Sequence, residues 1–246
     1  MNADPRVVVV TGGGKGIGRA VVARFAAAGE HVVAVGRDRT ALEATDASTA
    51  EVCDVTDEQQ VAALFERVGQ VDVLIVNAGA STSAPLGRTT LDDWQALLDV
   101  NATGAFLCTR AVVGGMIERG SGRIVTVAST AGRVGFRYTA AYVASKHAAV
   151  GLMRAVAAEV AGTGVTANAV CPTYVETDMT RRSIAHIVAA TKRSEDEVEA
   201  TLTASTPLGR MLEPDEVAFA VAFLAAPEAV AVNGQTLVLD GGGIQA

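Results

Sequence analysis

The segment "VVVVTGGGKGIG", residues 7–18, joins a short apolar run to a glycine-rich turn. The β-branched run favours a strand, and a helical pattern of apolar residues begins at Ile17. Glycines in such a turn let a ligand approach the backbone, and the free N–H groups of the following helix attract anions. The segment therefore predicts a strand, a turn and a helix that together bind a pyrophosphate.

Similar short β-branched runs alternate along the chain with longer, Ala-rich amphipathic segments. The runs lack polar alternation, which indicates strands covered by helices on both faces. We predict an α/β fold, a three-layer doubly wound Rossmann domain with about seven parallel strands spanning residues 1–246. The predicted strands are Arg6–Val10, His31–Val35, Ala50–Cys53, Asp72–Val76, Arg123–Ala128, Val165–Val170 and Thr236–Leu239. The predicted helices are Ile17–Ala28, Thr40–Thr45, Asp57–Val68, Leu91–Arg119, Ala140–Ala161 and Pro214–Ala225.

Residues 177–210 interrupt this alternation with two helical stretches joined by residues 191–194. The insertion is longer than an ordinary connection. We interpret it as a substrate-binding lid, and a solvent-exposed helical decoration is the alternative.

Composition excludes several classes of function. A net charge of -7 with scattered Lys and Arg argues against a nucleic-acid or anionic-membrane surface. The apolar run near the N-terminus is too short for a signal peptide, and the apolar stretch 217–226 is about half a membrane span. The three cysteines and three histidines match no disulfide or metal pattern. We expect a metal-free cytoplasmic enzyme acting on small molecules.

The glycine turn itself has the spacing G-x3-G-x-G over Gly12, Gly16 and Gly18. This differs from the dinucleotide pattern G-x-G-x-x-G, and Gly14-Lys15 lacks the Ser or Thr that would follow in a P-loop. The turn alone can simply reverse a strand into a helix. Its position after the first strand of a βαβ unit makes cofactor binding the better interpretation.

The second predicted strand ends where such folds recognise the adenosine ribose. Gly36 occupies the position where NAD-binding versions carry an acid, and Arg37 follows it. Lys15 adds a second cation from the turn. The two cations favour the 2′-phosphate of NADP(H), while Asp38 keeps NAD(H) possible. The alternative without a binding role is that Arg37 and Asp38 form an ordinary solvated ion pair.

Further motifs together resemble the short-chain dehydrogenase/reductase family over nearly the whole chain. The cofactor turn with Ile17, the Asn77-Ala78-Gly79 motif, and Asn101, Ser129, Tyr142 and Lys146 fall in the family's order. The resemblance implies that these four are catalytic, and that the turn and the Asn77-Ala78-Gly79 motif bind the cofactor.

Tyr142 and Lys146 lie one helical turn apart on the same face. A free tyrosine titrates near pH 10, and a nearby ammonium lowers its pKa toward the range useful for acid–base catalysis. We predict that Ser129 binds the substrate carbonyl while Tyr142 donates a proton to the developing alkoxide. Singly, these residues are also typical of a core tyrosine, a solvent-reaching lysine and a capping serine.

The resemblance also implies that Lys146 binds the nicotinamide ribose and that Asn101 holds a water relaying protons to Lys146. By the same resemblance, Asp54 and Val55 flank the adenine, and Val175 and Thr177 contact the carboxamide. Thr173 departs from the family, which usually has glycine after the Cys-Pro pair, so the substrate fit differs near the nicotinamide.

The C-terminal stretches 206–210 and 214–218 are similar to 3-oxoacyl-thioester reductases and aromatic-polyketide ketoreductases. We therefore expect reduction of a 3-oxoacyl-CoA or acyl-carrier thioester, with acyl carrier protein as a possible partner. The stretch 133–137 is expected to line the pocket, and four lid cations are candidates for binding phosphate or acidic surfaces. These are Arg181, Arg182, Lys192 and Arg193.

The sequence is also compatible with functions other than reduction of a 3-oxoacyl thioester. They are an NAD-dependent dehydrogenase of a hydroxyacyl-CoA, polyketide, cyclic alcohol or steroid, and a non-catalytic NADP-binding regulator. The regulator would gain nothing from Tyr142 and Lys146. An epimerase would need a C-terminal domain, and after Leu239 only a few residues remain. Family resemblance implies a homotetramer.

Overall fold

The computed structural model describes residues 4–204 and 206–245. Its strands are β1 (Val7–Thr11), β2 (His31–Gly36), β3 (Thr49–Val52), β4 (Val73–Val76), β5 (Gly122–Val127), β6 (Val165–Pro172) and β7 (Thr236–Leu239). Within these residues, seven strands form one parallel sheet in the order β3-β2-β1-β4-β5-β6-β7. The prediction of a doubly wound parallel sheet is confirmed. The predicted domain range of 1–246 includes residues 1–3, Ser205 and Ala246, which lie outside the described residues.

Nine α-helices flank the sheet in the part of the chain that the structure describes. They are α1 (Gly16–Ala27), α2 (Arg39–Glu43), α3 (Glu58–Val68), α4 (Leu91–Leu98), α5 (Gly104–Arg119), α6 (Ala140–Glu159), α7 (Asp178–Thr191), α8 (Glu195–Ala204) and α9 (Pro214–Leu224).

Alternate residues of each central strand pack into different halves of the core. In β1, Val9 joins a cluster with α3, α5 and α6, while Val8 and Val10 join a second cluster with α1 and α9. This alternation follows from the two-residue period of a strand. It confirms the predicted three layers, and the unbroken apolar runs in the sequence are its signature. The three cysteines are buried in this core as free thiols.

The predicted continuous helix Leu91–Arg119 is wrong in one respect, because a π-helical turn at Asp99–Thr103 separates α4 from α5. Gly104 packs closely on the loop that follows β3. A Cβ at Gly104 would lie 2.8 Å from Val55 Cγ2 in this loop. Single π turns often occur at functional sites. The 3.6-residue period of a sequence pattern does not reveal a local change to i→i+5 bonding.

The span Leu91–Arg119 also has the length and hydropathy of a membrane-crossing helix. In this fold its α5 portion packs on α3, β4 and β5, and it buries Leu107, Cys108, Val112 and Met116. The helix layer that covers the sheet therefore accounts for part of its apolar character, while Phe106 and Ile117 are exposed.

The two helices of the 177–210 insertion, α7 and α8, pack around a small core of their own. Ile184, Val198 and Met211 are buried there, with Tyr174 and Leu202 packed against them. The predicted pair of helices is observed, and Ser205 in the predicted range lies outside the described residues. The insertion stands at the carboxyl ends of the strands, since it follows β6 directly.

The close packing of Gly18 against the glycine turn predicts a sharp mutational contrast. A Cβ at Gly18 would lie 2.1 Å from Gly12 O and 2.6 Å from Asn77 Nδ2. We expect Gly18→Ala to lower the free energy of unfolding by about 1–3 kcal/mol, because overpacking forces the turn away from β4. Urea unfolding measures this change.

Gly87→Ala is the matched control, since a Cβ there meets no atom within 4 Å. We expect this variant to leave the free energy of unfolding unchanged or to raise it by up to about 1 kcal/mol. Equal destabilisation by both substitutions would contradict the packing explanation.

Candidate active site

A cavity of about 500 Å³ lies along the carboxyl ends of the strands. It spans the point between β1 and β4 where the strand order reverses, which is where open α/β sheets bind ligands. Thirteen of the predicted site residues line this cavity. They are Gly12, Lys15, Gly16, Ile17, Arg37, Asn77, Ala78, Gly79, Ser129, Tyr142, Lys146, Val175 and Thr177.

The glycine-rich turn is tied to β4 by two side chains. The Thr11 hydroxyl accepts hydrogen bonds from the N–H groups of Asn77 (2.9 Å) and Ala78 (3.0 Å). Asn77 Nδ2 in turn donates to Thr11 O at 2.9 Å. Gly12 has a φ of +67° there, a left-handed conformation that disfavours other residues. The turn is therefore held in one position with its backbone facing the cavity.

The N-terminus of α1 opens onto the same cavity. Its N-cap residue, Lys15, is extended and forms no side-chain cap with any part of the chain that is described. The first N–H groups of the helix are thus available to an anion. Gly16 (φ +51°) approaches Thr177 so closely that a Cβ would lie 3.0 Å from Thr177 Cγ2. Thr177 itself caps α7 by accepting from Thr180 N.

Two cations and two acids surround the far end of the cavity. Lys15 Nζ donates to Asp38 Oδ2 at 2.7 Å, and Arg37 Nη1 lies 3.8 Å from Asp54 Oδ2. Asp38 also accepts from Ala41 N as the N-cap of α2. The hydrogen bond from Lys15 lowers the pKa of the Asp38 carboxyl. The Asp38 carboxylate therefore accepts hydrogen bonds from both Lys15 and the N-terminus of α2.

Ser129 and Tyr142 meet at the centre of the cavity. Ser129 follows β5, where its hydroxyl caps a 3-10 turn by accepting from Ala131 N at 3.1 Å. Tyr142 lies in the first turn of α6. Burial raises the pKa of Tyr142, and the polar interaction with the Ser129 side chain lowers it by less. The predicted lowering of the Tyr142 pKa is wrong for the protein alone, because burial disfavours the charged phenolate.

Lys146 is nearly fully buried, with 6% exposure. Its Nζ donates to Val127 O at 3.2 Å and lies 5.8 Å from the centre of the Tyr142 ring. Removal from water lowers the pKa of Lys146 to about 8. Lys146 forms no ion pair with any carboxylate of the described residues. An unpaired buried ammonium is costly, and such groups concentrate at functional sites.

Asn101 lies behind the cavity wall, in the π-helical turn. Its Oδ1 accepts from Ala80 N at 3.0 Å, and its Nδ2 donates to Ala80 O at 2.9 Å and to Ser145 Oγ at 3.0 Å. Ser145 donates in turn to Tyr142 O at 2.8 Å. Asn101 thereby connects the loop after β4 to the helix that carries Tyr142.

Three other predicted residues also lie outside the cavity lining. Gly18 packs beneath Gly12, and Val55 is buried under α5. Asp54 approaches the cavity only through its contact with Arg37. Thr173, the departure from the family pattern, does line the cavity.

Sequence reasoning missed most of the apolar part of the cavity. Phe136 lies in the predicted stretch 133–137, but Tyr174, Met179, Ile187 and Leu202 were not anticipated. Met179, Ser183 and Ile187 are spaced by four residues on α7, so the helical period was a usable signal. These side chains give the part of the cavity under α7 and α8 an apolar surface beside its polar residues.

Comparisons with known proteins agree with this geometry. A family model described as short chain dehydrogenase matches residues 6–188. A protein of Streptomyces coelicolor described as a ketoacyl reductase is 40% identical, with 97% of each chain covered. A 3-oxoacyl-[acyl-carrier-protein] reductase of Vibrio cholerae is 34% identical, with 98% of each chain covered. The crystal structure of a variant actinorhodin polyketide ketoreductase with NADPH superposes with a TM-score of 0.91, at 39% identity and 98% coverage of each chain.

The buried ammonium predicts that Lys146→Met stabilises the protein at neutral pH. The pKa of about 8 in the folded protein lies below the ordinary value of 10.5. The difference corresponds to about 3 kcal/mol, of which we expect roughly 1–3 kcal/mol to be recovered by the variant at pH 7.

The sign of the pH dependence follows from the lowered pKa. The unfolded chain binds more protons between pH 8 and 10.5, so the wild-type protein gains stability over this window. The advantage of Lys146→Met should therefore shrink as pH rises to 10. Urea unfolding at pH 7 and pH 10 measures it, with the exposed Lys192→Met as the control that should show no such change.

Proposed function

Because the chain belongs to the short-chain dehydrogenase family, we propose that it is an NADP(H)-dependent ketoreductase that reduces a 3-oxoacyl thioester to the 3-hydroxyacyl compound. One observation carries the proposal. Ser129, Tyr142 and Lys146 share one cavity with a glycine cradle and two cations at one end and apolar side chains at the other.

The residues present fit a dinucleotide with a 2′-phosphate. Gly12 and Gly16 line the cavity with backbone, Gly18 packs beneath Gly12, and α1 presents free N–H groups to a pyrophosphate. Lys15 and Arg37 are half-exposed or more at the adenosine end, where they are suited to pair with a phosphate. NADP(H), when bound, supplies or accepts the hydride.

Ser129 and Tyr142 are proposed to act on the carbonyl oxygen. The Ser129 hydroxyl donates a hydrogen bond that orients the carbonyl, and Tyr142 donates its phenolic proton to the developing alkoxide. The raised pKa of Tyr142 keeps the phenol protonated at neutral pH, which is the state needed for reduction. The Ser129 side chain contacts the same phenol, so the two groups converge on one atom of the substrate.

Lys146 and Asn101 are proposed to support the proton transfer from Tyr142 without contacting the substrate carbonyl. The Lys146 ammonium, beneath the Tyr142 ring, stabilises negative charge that develops on the phenol and is placed to bind the cofactor ribose. Gly79 lies between the two residues, since a Cβ there would lie 2.8 Å from Asn101 Oδ1 and 3.5 Å from Lys146 Nζ. A water held by Asn101 that passes protons to Lys146 would occupy this region.

The remaining cofactor contacts are proposed from position in the cavity. Asn77, Ala78 and Gly79 face the dinucleotide from the end of β4, and Ile17 does so from α1. Val175 and Thr177 face the nicotinamide end. Asp54 and Val55 are proposed to act at the adenine only through the loop that follows β3, because neither lines the cavity.

The lid 177–210 is proposed to enclose the acyl chain in one Rossmann domain. Met179, Ile187 and Leu202 present apolar surface opposite Phe136, which suits an aliphatic or polyketide chain. The named activities of the Streptomyces and Vibrio relatives support a 3-oxoacyl substrate, carried by coenzyme A or by acyl carrier protein.

Assembly and location are further parts of the proposal. Exposed aromatic and aliphatic side chains on α5 (Phe106, Ile117) and α9 (Phe219, Phe223) support association into a homotetramer. Light scattering of the purified protein tests this assembly. Free buried cysteines support a reducing cytoplasmic location.

The proposed acid predicts the effect of Tyr142→Phe. We expect kcat for NADPH oxidation with acetoacetyl-CoA to fall by at least about 10²-fold, because general acid catalysis contributes on that scale. NADPH binding, followed by fluorescence, should be retained.

Tyr138→Phe is the control, since Tyr138 is exposed and its hydroxyl lies near Arg137 rather than in the cavity. Its activity should match that of the wild type. Undiminished turnover by Tyr142→Phe would rule out the proposed mechanism.

The cofactor choice predicts the effect of Arg37→Ala. We expect KM for NADPH to rise about tenfold or more, while KM for NADH changes little, because only NADPH carries the 2′-phosphate. Arg39→Ala is the control, since Arg39 pairs with Glu43 on α2 outside the cavity. Equal changes in KM for both cofactors would contradict the role of Arg37.

A further inference from the structure

Four cations on the lid were candidates for binding an anion, and the structure distinguishes them. Arg181 is engaged in ion pairs with Glu176 and Glu199 and lies 3.7 Å from Glu195. These partners raise the pKa of Arg181 and use its guanidinium to join α7 to α8. Arg181 is therefore a structural residue of the lid.

The two cations at the α7–α8 junction do not line the cavity. Arg193 Nη2 donates to Glu197 O and to Thr201 Oγ1, both at 2.6 Å. Lys192 ends α7 in a left-handed conformation with a φ of +58°. Both side chains belong to the outer surface of the lid.

Arg182 differs from all three, because it lines the cavity. Among residues 4–204 and 206–245 its side chain makes neither a hydrogen bond nor an ion pair, and the residue is exposed. It follows Met179 by three residues on α7, so the two side chains share one face of the helix. Ser183 lines the cavity beside it.

The charged side chains of α7 that line this half of the cavity are Asp178 and Arg182. Lys15 and Arg37 lie at the adenosine end, and Lys146 is buried beneath Tyr142. Arg182 is thus the cation available, within the described lining, to a substrate whose acyl part lies among Met179 and its apolar neighbours. A guanidinium forms paired hydrogen bonds with phosphate oxygens.

We propose that Arg182 binds a phosphate group on the carrier portion of the acyl thioester and thereby selects carrier-bound substrates over free ketones. The proposal rests on the proposed function, and it adds a specificity-determining residue outside the reacting centre. Coenzyme A and the prosthetic arm of acyl carrier protein share a phosphate joined to pantetheine, so either carrier supplies this chemistry.

The test compares thioesters with and without phosphate. Steady-state kinetics are measured with acetoacetyl-CoA, with acetoacetyl-acyl carrier protein and with the acetoacetyl thioester of N-acetylcysteamine, which has no phosphate. For Arg182→Met we expect KM for acetoacetyl-CoA to rise about tenfold or more with kcat little changed. Kinetics with the N-acetylcysteamine thioester should be unchanged, which also shows that the variant is folded. Arg182→Lys should recover part of the loss.

Lys192→Met is the matched control, since it removes one positive charge from the same lid away from the cavity. An equal rise in KM for Lys192→Met would show that the effect is a general electrostatic attraction between the lid and the charged substrate. That result would overturn the proposal. A loss with both carriers assigns the contact to the pantetheine phosphate, and a loss with coenzyme A alone assigns it to the phosphates of its nucleotide.

Two failures are distinguishable. In the first case the wild type oxidises NADPH with the thioesters, and Arg182→Met either behaves identically or loses activity equally with the N-acetylcysteamine thioester. The assignment of Arg182 is then overturned, while the proposed function stands. If the wild type reduces none of the thioesters, the proposed function fails and this proposal fails with it.

Discussion

The hydrogen bonds between the ends of β1 and β4 are the constraint on which the site depends. The buried Thr11 hydroxyl accepts from two N–H groups of β4's loop and donates to Ile75 O at 3.2 Å. Each of these groups would be costly to leave unpaired in the interior. The glycine turn, the N-terminus of α1 and the loop of Asn77 are therefore fixed together at the edge where the strand order reverses.

A second set of contacts extends this order to the catalytic helix. Asn101 pairs with the backbone of Ala80 and with Ser145, one residue before Lys146. The π-helical turn places the Asn101 side chain in this position. The loop after β4, helix α5 and helix α6 thus meet around the Asn101 side-chain amide. The packing of these elements offsets the energetic cost of burying Lys146.

Much of the fold and part of the site were predictable from local pattern. The β-branched runs predicted the strands because a covered parallel sheet has few polar positions. The spacing of Gly12, Gly16 and Gly18 predicted that a ligand approaches the turn closely, and the structure adds that a Cβ at these positions would meet neighbouring protein atoms. The i,i+4 spacing correctly placed Tyr142 and Lys146 on one face, but it did not reveal that burial raises the pKa of Tyr142.

The sequence by itself determined the order of strands and helices, the glycine turn and the set of reactive side chains, because these depend on periodicity and on residue type. Only the tertiary structure decided which of them meet. Arg181 and Arg182 are neighbours of the same type, yet one is paired with acids of the lid and the other faces the cavity. That difference, like the lowered pKa of Lys146, arises from burial and from partners distant along the chain.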